Sequence, residues 1–190
     1  MSARDLVNIG IFAAIYLVIV FTISFAGVVS PLLIVVTFPL SIIVAGIPYM
    51  LFLTRVKHAG MVTIFAVLVA GIYLLAGHPW ISTVVTVVAA LLAEAILLAG
   101  RYRSRWAAIL AYAVFSLWFI GPLLPILIDP DEYFSSATMQ ATPEYADKMR
   151  DFLTDQVLWM YNAATFIAGL LGGLLGAALL RKHFRKAGLA

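Results

Sequence analysis

Long apolar runs separated by short polar breaks fill almost the whole chain. The first runs from Asp5 to Phe25: Asp5 and Asn8 open it, and Gly10-Ile11-Phe12-Ala13-Ala14-Ile15-Tyr16 leads into continuous aliphatic sequence. About 20 apolar residues carry a helix across a bilayer. On that measure the pattern predicts six spans, at about Asp5–Ala26, Pro31–Thr54, Gly60–Ala76, Ile81–Gly100, Trp106–Ile128 and Val157–Leu180. The expected fold is an all-α membrane protein, a compact bundle of six transmembrane helices forming a single domain over residues 1–190. The third run is the shortest, and Gly77-His78-Pro79-Trp80 marks the turn after it.

The polar breaks set the orientation. Arg4 precedes the first run, Arg55 and Lys57 follow the second, Arg101, Arg103 and Arg105 the fourth, and Arg181, Lys182, Arg185 and Lys186 the sixth. The breaks after the first and third runs hold no Lys or Arg, and Lys148 and Arg150 sit in a segment that is acidic overall. The positive-inside rule then puts both termini on the cytoplasmic side of a cell membrane. The start does not read as a secretory signal, because its basic flank is weak, its apolar run is long and no small-residue cleavage site stands out.

Composition sharpens this picture. Hydrophobic residues make up 64% of the chain and charged residues 11%, against roughly 45–50% and about 25% in soluble domains. The net charge of +3 lies where a membrane protein needs it, so it does not imply nucleic acid. With no cysteine there are no disulfides, thiolate metal sites or cysteine nucleophiles.

Glycine and proline add packing detail. Gly169, Gly172, Gly173 and Gly176 give two overlapping pairs at four-residue spacing, a ridge that lets a neighbouring helix approach closely. Gly10 and Ala14 share one face of the first run; the spacing fits either packing within this chain or a docking face for another membrane subunit. Pro39, Pro48, Pro122 and Pro125 each remove a backbone donor and favour a kink. Near the far end of the fifth run, Gly121-Pro122-Leu123-Leu124-Pro125 fits either a kink absorbed by packing or a broken helix exposing backbone groups to a ligand, and the packing reading is preferred.

Residues 129–156 form the one long polar stretch. Asp129-Pro130-Asp131-Glu132 has the form of an N-cap, a first-turn proline and a returning Glu, and Thr142-Pro143-Glu144 repeats the cap-then-proline start. After it, Tyr145, Met149, Phe152 and Leu153 share one face, with Asp147, Lys148, Arg150 and Asp151 largely on the other. This predicts an amphipathic surface helix. Together with the Tyr133-Phe134 turn it would either form a lid over an outward pocket or lie on the headgroups.

Few residues offer chemistry. Glu94 is the one ionisable residue well inside a span, where a carboxylate costs roughly 2.5–3.5 kcal/mol on insertion scales. Its place nearer the basic end suits a polar tie between helices, or a partner contact, better than ligand binding. At the opposite ends of the spans, His78, Trp80, Trp118, Asp155, Trp159, Tyr161 and Asn162 fall at similar depth. Single aromatics there are explained by an interfacial belt. As a group, with Tyr133 above them, they are candidate ligand-binding residues, since small-molecule pockets are mostly apolar with a few polar groups. No paired-histidine metal motif, nucleophile elbow or phosphate loop occurs, and His58, His78 and His183 are dispersed. No pore stripe or carboxylate pair is visible. The reading is not an enzyme.

The start Asp5-Leu6-Val7-Asn8-Ile9-Gly10-Ile11-Phe12-Ala13-Ala14-Ile15-Tyr16 and the end Lys182-His183-Phe184-Arg185-Lys186-Ala187-Gly188 resemble the two ends of the Trep_Strep family. These small integral membrane proteins are classed as substrate-binding S components of energy-coupling factor (ECF) transporters. The resemblance covers essentially the whole chain in length and layout. It implies a protein that captures a scarce small molecule at its outer side, docks on a transmembrane coupling subunit attached to two cytoplasmic ATPases, and topples to release its ligand. ATP would be used by those partners, and the chain itself would hold no cofactor or metal. Gly10 and Ala14 become the candidate docking pair; the usual motif has alanine at both positions, so Gly10 departs from it but remains small. The implied ligand is a vitamin-like compound or a cofactor such as haem; His78, Tyr133 and Met139 have side chains able to ligate haem iron, but their spacing gives that no support. Two alternatives stay open: a stand-alone secondary carrier using Glu94, and a structural membrane subunit without a ligand.

Overall fold

The computed structural model describes residues 1–56, 58–135 and 143–184, without the side chains of Val28, His183 and Phe184. Lys57, Met139, Thr142 and residues 185–188, which enter the sequence reading, lie outside the described residues. All regular structure among the described residues is helical: α1 (Ala3–Ser24), α2 (Pro31–Leu53), α3 (Met61–Leu75), α4 (Trp80–Ala99), α5 (Arg105–Phe115), a 3-10 stretch (Ser116–Leu123), α6 (Leu124–Ile128), α7 (Pro130–Ser135), α8 (Pro143–Phe152) and α9 (Asp155–Leu179). Among the described residues, five helical segments are long and apolar enough to cross a membrane: Ala3–Gly27, Pro31–Leu53, Trp80–Ala99, Arg105–Ile128 and Asp155–Lys182. Of the six expected spans, α3 falls short. Its 15 residues rise only about 22 Å against a hydrocarbon core of roughly 30 Å.

Local chemistry sets the helix boundaries. Ser2 and Asp5 form a reciprocal capping box: the Asp5 amide donates to Ser2 Oγ at 3.3 Å and the Ser2 amide to Asp5 Oδ2 at 2.7 Å. The helix therefore starts two residues before the expected Asp5. Ser104 caps α5 and Thr154 caps α9 through their hydroxyls. Asp129 caps α7 as its motif predicts, accepting from the Glu132 amide at 2.9 Å. The two proline pairs behave differently. α2 runs unbroken through Pro39 and Pro48, whereas Pro122 lies in the 3-10 stretch that separates α5 from α6.

The glycine ridge of α9 fixes the centre of the bundle. A methyl group on Gly172 would lie 2.9 Å from the Ile42 carbonyl oxygen of α2, and one on Gly176 would lie 2.6 Å from the Gly46 carbonyl oxygen. On the other flank, Gly169 abuts Ala113 and Ser116, and Gly173 abuts Ile109 of α5. Two neighbours thus use the ridge, one on each side. Helix α1 packs on α2 and α3, and α4 packs on α3, α5 and the 3-10 stretch. The enclosed core is aromatic, built from Tyr16, Tyr49, Phe52, Phe65, Tyr112, Phe115 and Trp118.

The two ends of the bundle differ in chemistry. At the basic end, Met1 reaches the Gly60 turn, His58 lies 3.9 Å from Asp5, and Arg181 lies beside Arg103 and Thr54. Both described chain ends are therefore at this end. The opposite, lid end carries the α1–α2 turn, the α3–α4 turn and the helices α7 and α8.

Candidate functional site

At the lid end, α3 stops in a Schellman motif. Gly77 adopts φ +88°, the His78 amide donates to the Tyr73 carbonyl at 3.1 Å, and the Gly77 amide donates to Leu74 at 3.1 Å. A side chain at residue 77 would be strained, which is why glycine stands there. The motif folds His78 back over the helix end, so its Nδ1 lies 3.2 Å from the same Tyr73 carbonyl and its ring packs on Tyr73 at 4.6 Å. Burial lowers the His78 pKa, with the Tyr73 carbonyl acting in the opposite direction. The imidazole is thereby biased toward its neutral form.

From Tyr73 the rings continue inward. Tyr73 meets Trp118 edge-on at 4.7 Å, Trp118 contacts Phe119 at 4.4 Å, and Phe38 links Phe119 to Tyr161 at 5.8 and 6.3 Å. Trp118 Nε1 donates to the Tyr16 hydroxyl at 3.1 Å. Five buried oxygens have no hydrogen-bond partner among the described residues: Tyr49 OH in the core on α2, and toward the lid end Ser82 Oγ and Thr83 Oγ1 on α4 and Tyr161 OH and Asn162 Oδ1 on α9. The lid-end four sit in the first turn of α4 and about two turns into α9. The 3-10 stretch closes against them, with Gly121 pressed on the Ser82 backbone. Each unpaired buried polar atom costs about 1–3 kcal/mol, so leaving several in one bundle is expensive.

The residues singled out by depth part company here. Trp118 and Tyr161 are buried in the wall, and His78 and Asn162 are half-buried at it. Trp80 and Trp159 are 70% and 64% exposed and face away from the bundle, as interfacial belt residues do. Asp155 is exposed in the first turn of α9, where its charge favours the helix N-terminus. Tyr133 belongs to the lid; it packs edge-on to Phe134 at 5.2 Å, and burial pushes its pKa up to about 12. Tyr16, Phe38, Tyr73, Phe119, Ser82 and Thr83 were not foreseen. Ser82 and Thr83, polar residues at the head of an apolar helix, were the signal that could have found part of the group.

The amphipathic segment packs on the bundle, rather than lying free on the surface. Ala146, Met149 and Leu153 are buried, and the Tyr145 hydroxyl donates to the Gly27 carbonyl in the α1–α2 turn at 2.9 Å. Arg150 joins the two lid helices: its Nη2 is 2.9 Å from Asp131 Oδ1, and its guanidinium lies 5.1 Å from the centre of the Phe134 ring.

Glu94 is spent at the other end. It is 5% exposed; Oε2 accepts from the Thr63 amide at 3.0 Å and hydroxyl at 3.1 Å, and Oε1 accepts from the Tyr102 hydroxyl at 2.6 Å. The carboxylate thus caps the first turn of α3 and holds the α4–α5 turn. Gly10 and Ala14 lie on the outward side of α1, and a methyl group on Gly10 would meet nothing within 4 Å. Packing within the chain is therefore not what keeps residue 10 small.

A family model matches residues 3–186, and its family is described as a hypothetical bacterial integral membrane protein, Trep_Strep. The chain belongs to this family and is a multi-pass integral membrane protein. No curated protein and no solved structure matches it.

Proposed function

We propose that the protein is the substrate-binding S component of an ECF-type importer. It takes up a scarce small molecule, a vitamin-like compound or cofactor, at the lid end, and docks through α1 on a coupling subunit served by two cytoplasmic ATPases. In this reading both termini are cytoplasmic in a cell membrane, and α3 crosses as a sixth, short span helped by its flanking turns. The chain binds and does not catalyse.

One observation carries the reading: the outward face of α1 keeps a glycine that the chain's own packing does not need. Glycine in a helix interior costs roughly 0.5–1 kcal/mol relative to alanine. Gly46, Gly169, Gly172 and Gly176 repay that cost by letting backbones touch; a methyl group added to Gly10 would touch nothing within 4 Å. The same holds for Gly71 on the neighbouring α3. Small residues on a membrane-facing surface suit close approach by another helix. The aromatic wall and its unspent hydroxyls supply the ligand-binding half of the function, and the lid closes over the same end. A carrier built on Glu94 gains no support, since three hydrogen bonds already engage that carboxylate.

The test is co-purification from the native membrane. The unaltered protein should carry an ATPase-containing module with it. Gly10→Leu combined with Ala14→Leu should abolish that association while leaving the thermal stability of the isolated protein within about 1 kcal/mol, because the Cβ position of residue 10 is open and Ala14 is exposed. Full assembly of the double variant would overturn the proposal.

A further inference from the structure

At the basic end, α2, the α4–α5 turn and the end of α9 enclose an open groove of about 310 Å³. Met50, Leu97 and Ala177 give it an apolar floor, and Arg103, Arg105 and Arg181 stand along its rim. Among the described residues no carboxylate lines it and none of these arginines has an ion pair. The nearest buried acid, Glu94, is held by Tyr102 and Thr63.

The turn that carries two of these arginines is firmly built. Arg101 and Tyr102 amides close a Schellman motif on Leu98 and Leu97, both at 2.9 Å, with Arg101 and Tyr102 at φ 51° and 53°. Non-glycine residues in the left-handed region are uncommon and need surrounding structure to hold them. Tyr102 is held through its hydroxyl on Glu94, and Ser104 caps α5 immediately after. Arg103 and Arg105 therefore flank a fixed cap, instead of riding on a free loop.

We propose that this groove binds an anionic phospholipid of the surrounding leaflet, its phosphate on the arginine rim and the start of an acyl chain on the floor. Guanidinium groups match phosphate oxygens in pairs of hydrogen bonds, and basic pockets between transmembrane helices suit anionic headgroups. A soluble phosphate would use the rim but not the floor. An acidic partner helix would need a longer trough, while this volume is that of a small-molecule cleft. The inference does not depend on the transport role.

The test is native mass spectrometry of delipidated protein titrated with phosphatidylglycerol or phosphatidylcholine. Phosphatidylglycerol should bind at least about tenfold more tightly, a difference of about 1.4 kcal/mol. R103Q/R105Q/R181Q should remove the preference, the corresponding triple lysine variant should keep most of it, and Ala108→Phe should weaken binding with the arginines intact by filling the cleft. The lysine and Phe variants keep the basic end charged, so they decide the matter if the glutamine variant does not fold. Equal binding of the two lipids, or a preference unchanged in both the glutamine and Phe variants, would overturn the proposal. So would equal competition by glycerol phosphate, which has the anion without the chain.

Discussion

At the basic end of the bundle a single carboxylate accepts three hydrogen bonds and joins α3, α4 and the α4–α5 turn. At the lid end, four buried oxygens on α4 and α9 have no partner among the described residues; a fifth, Tyr49 OH, lies on α2 toward the basic end, so the contrast is one of degree. Both regions lie inside an apolar bundle, where an unmatched polar group is costly. On the proposed function, the difference separates polar groups that hold the fold together from polar groups kept available for a ligand. An end that only has to stay closed can use all its hydrogen-bonding capacity internally. An end that meets a ligand gains from keeping some back, and the aromatic wall from His78 to Tyr161 gives that capacity an apolar surround.

The comparison is broken most severely by Glu94→Leu. That change leaves the Thr63 amide and hydroxyl and the Tyr102 hydroxyl without their acceptor, and should cost about 3 kcal/mol, read as a lowered melting temperature in detergent. Glu94→Gln retains one carbonyl acceptor and should cost less. If Glu94→Leu is neutral, the basic end is not held as described. A smaller effect of opposite sign is expected for Arg101→Gly. Glycine adopts φ 51° without penalty, so the Schellman turn should gain about 0.5–1 kcal/mol by the same measurement, with lipid preference unaffected because Arg101 is not on the groove rim.

Much of this contrast was out of reach of the sequence. Five of the six spans and the polar segment before the last one were legible because a bilayer demands uniformly apolar runs and leaves charges only in the breaks. The Gly77 turn, the Asp129 cap and the α9 ridge were legible because each depends on a local geometric need. The partners of Glu94 were not, since Thr63 lies 31 residues away and nothing along the chain pairs them. Nor could depth separate Trp118 from Trp80 and Trp159. All three are tryptophans near span ends, and only the rotation of each helix decides which faces the core. Ser2-x-x-Asp5 was a readable capping box that the apolar run beside it obscured.

Subtler still is the effect of pH at the lid end. Burial lowers the folded-state pKa of His78 below its ordinary value near 6.5. Below that ordinary value the unfolded chain binds a proton more readily than the folded one, so the His78 contribution to stability is present at neutral pH and lost as pH falls from about 6.5 toward the folded pKa. His78→Gln should flatten this part of the melting-temperature profile between about pH 5 and 7. An unchanged slope would mean that the imidazole titrates as it would in water.

The smallest expected change in stability is the most discriminating. Tyr161 OH has no partner, so Tyr161→Phe removes a buried polar atom and no hydrogen bond, with the ring contact to Phe38 preserved. Replacing an unsatisfied polar group by an apolar one of the same shape is neutral or stabilising. The melting temperature of the empty protein should hold or rise, as it should for Ser82→Ala. If the hydroxyl is kept for a ligand, affinity in the same variant should fall about tenfold, the value of one hydrogen bond near 1.4 kcal/mol. The compound to measure is whatever small molecule co-purifies with the native protein. Loss of stability without loss of affinity would make Tyr161 an ordinary core residue, and the two ends of the bundle would then differ in packing alone.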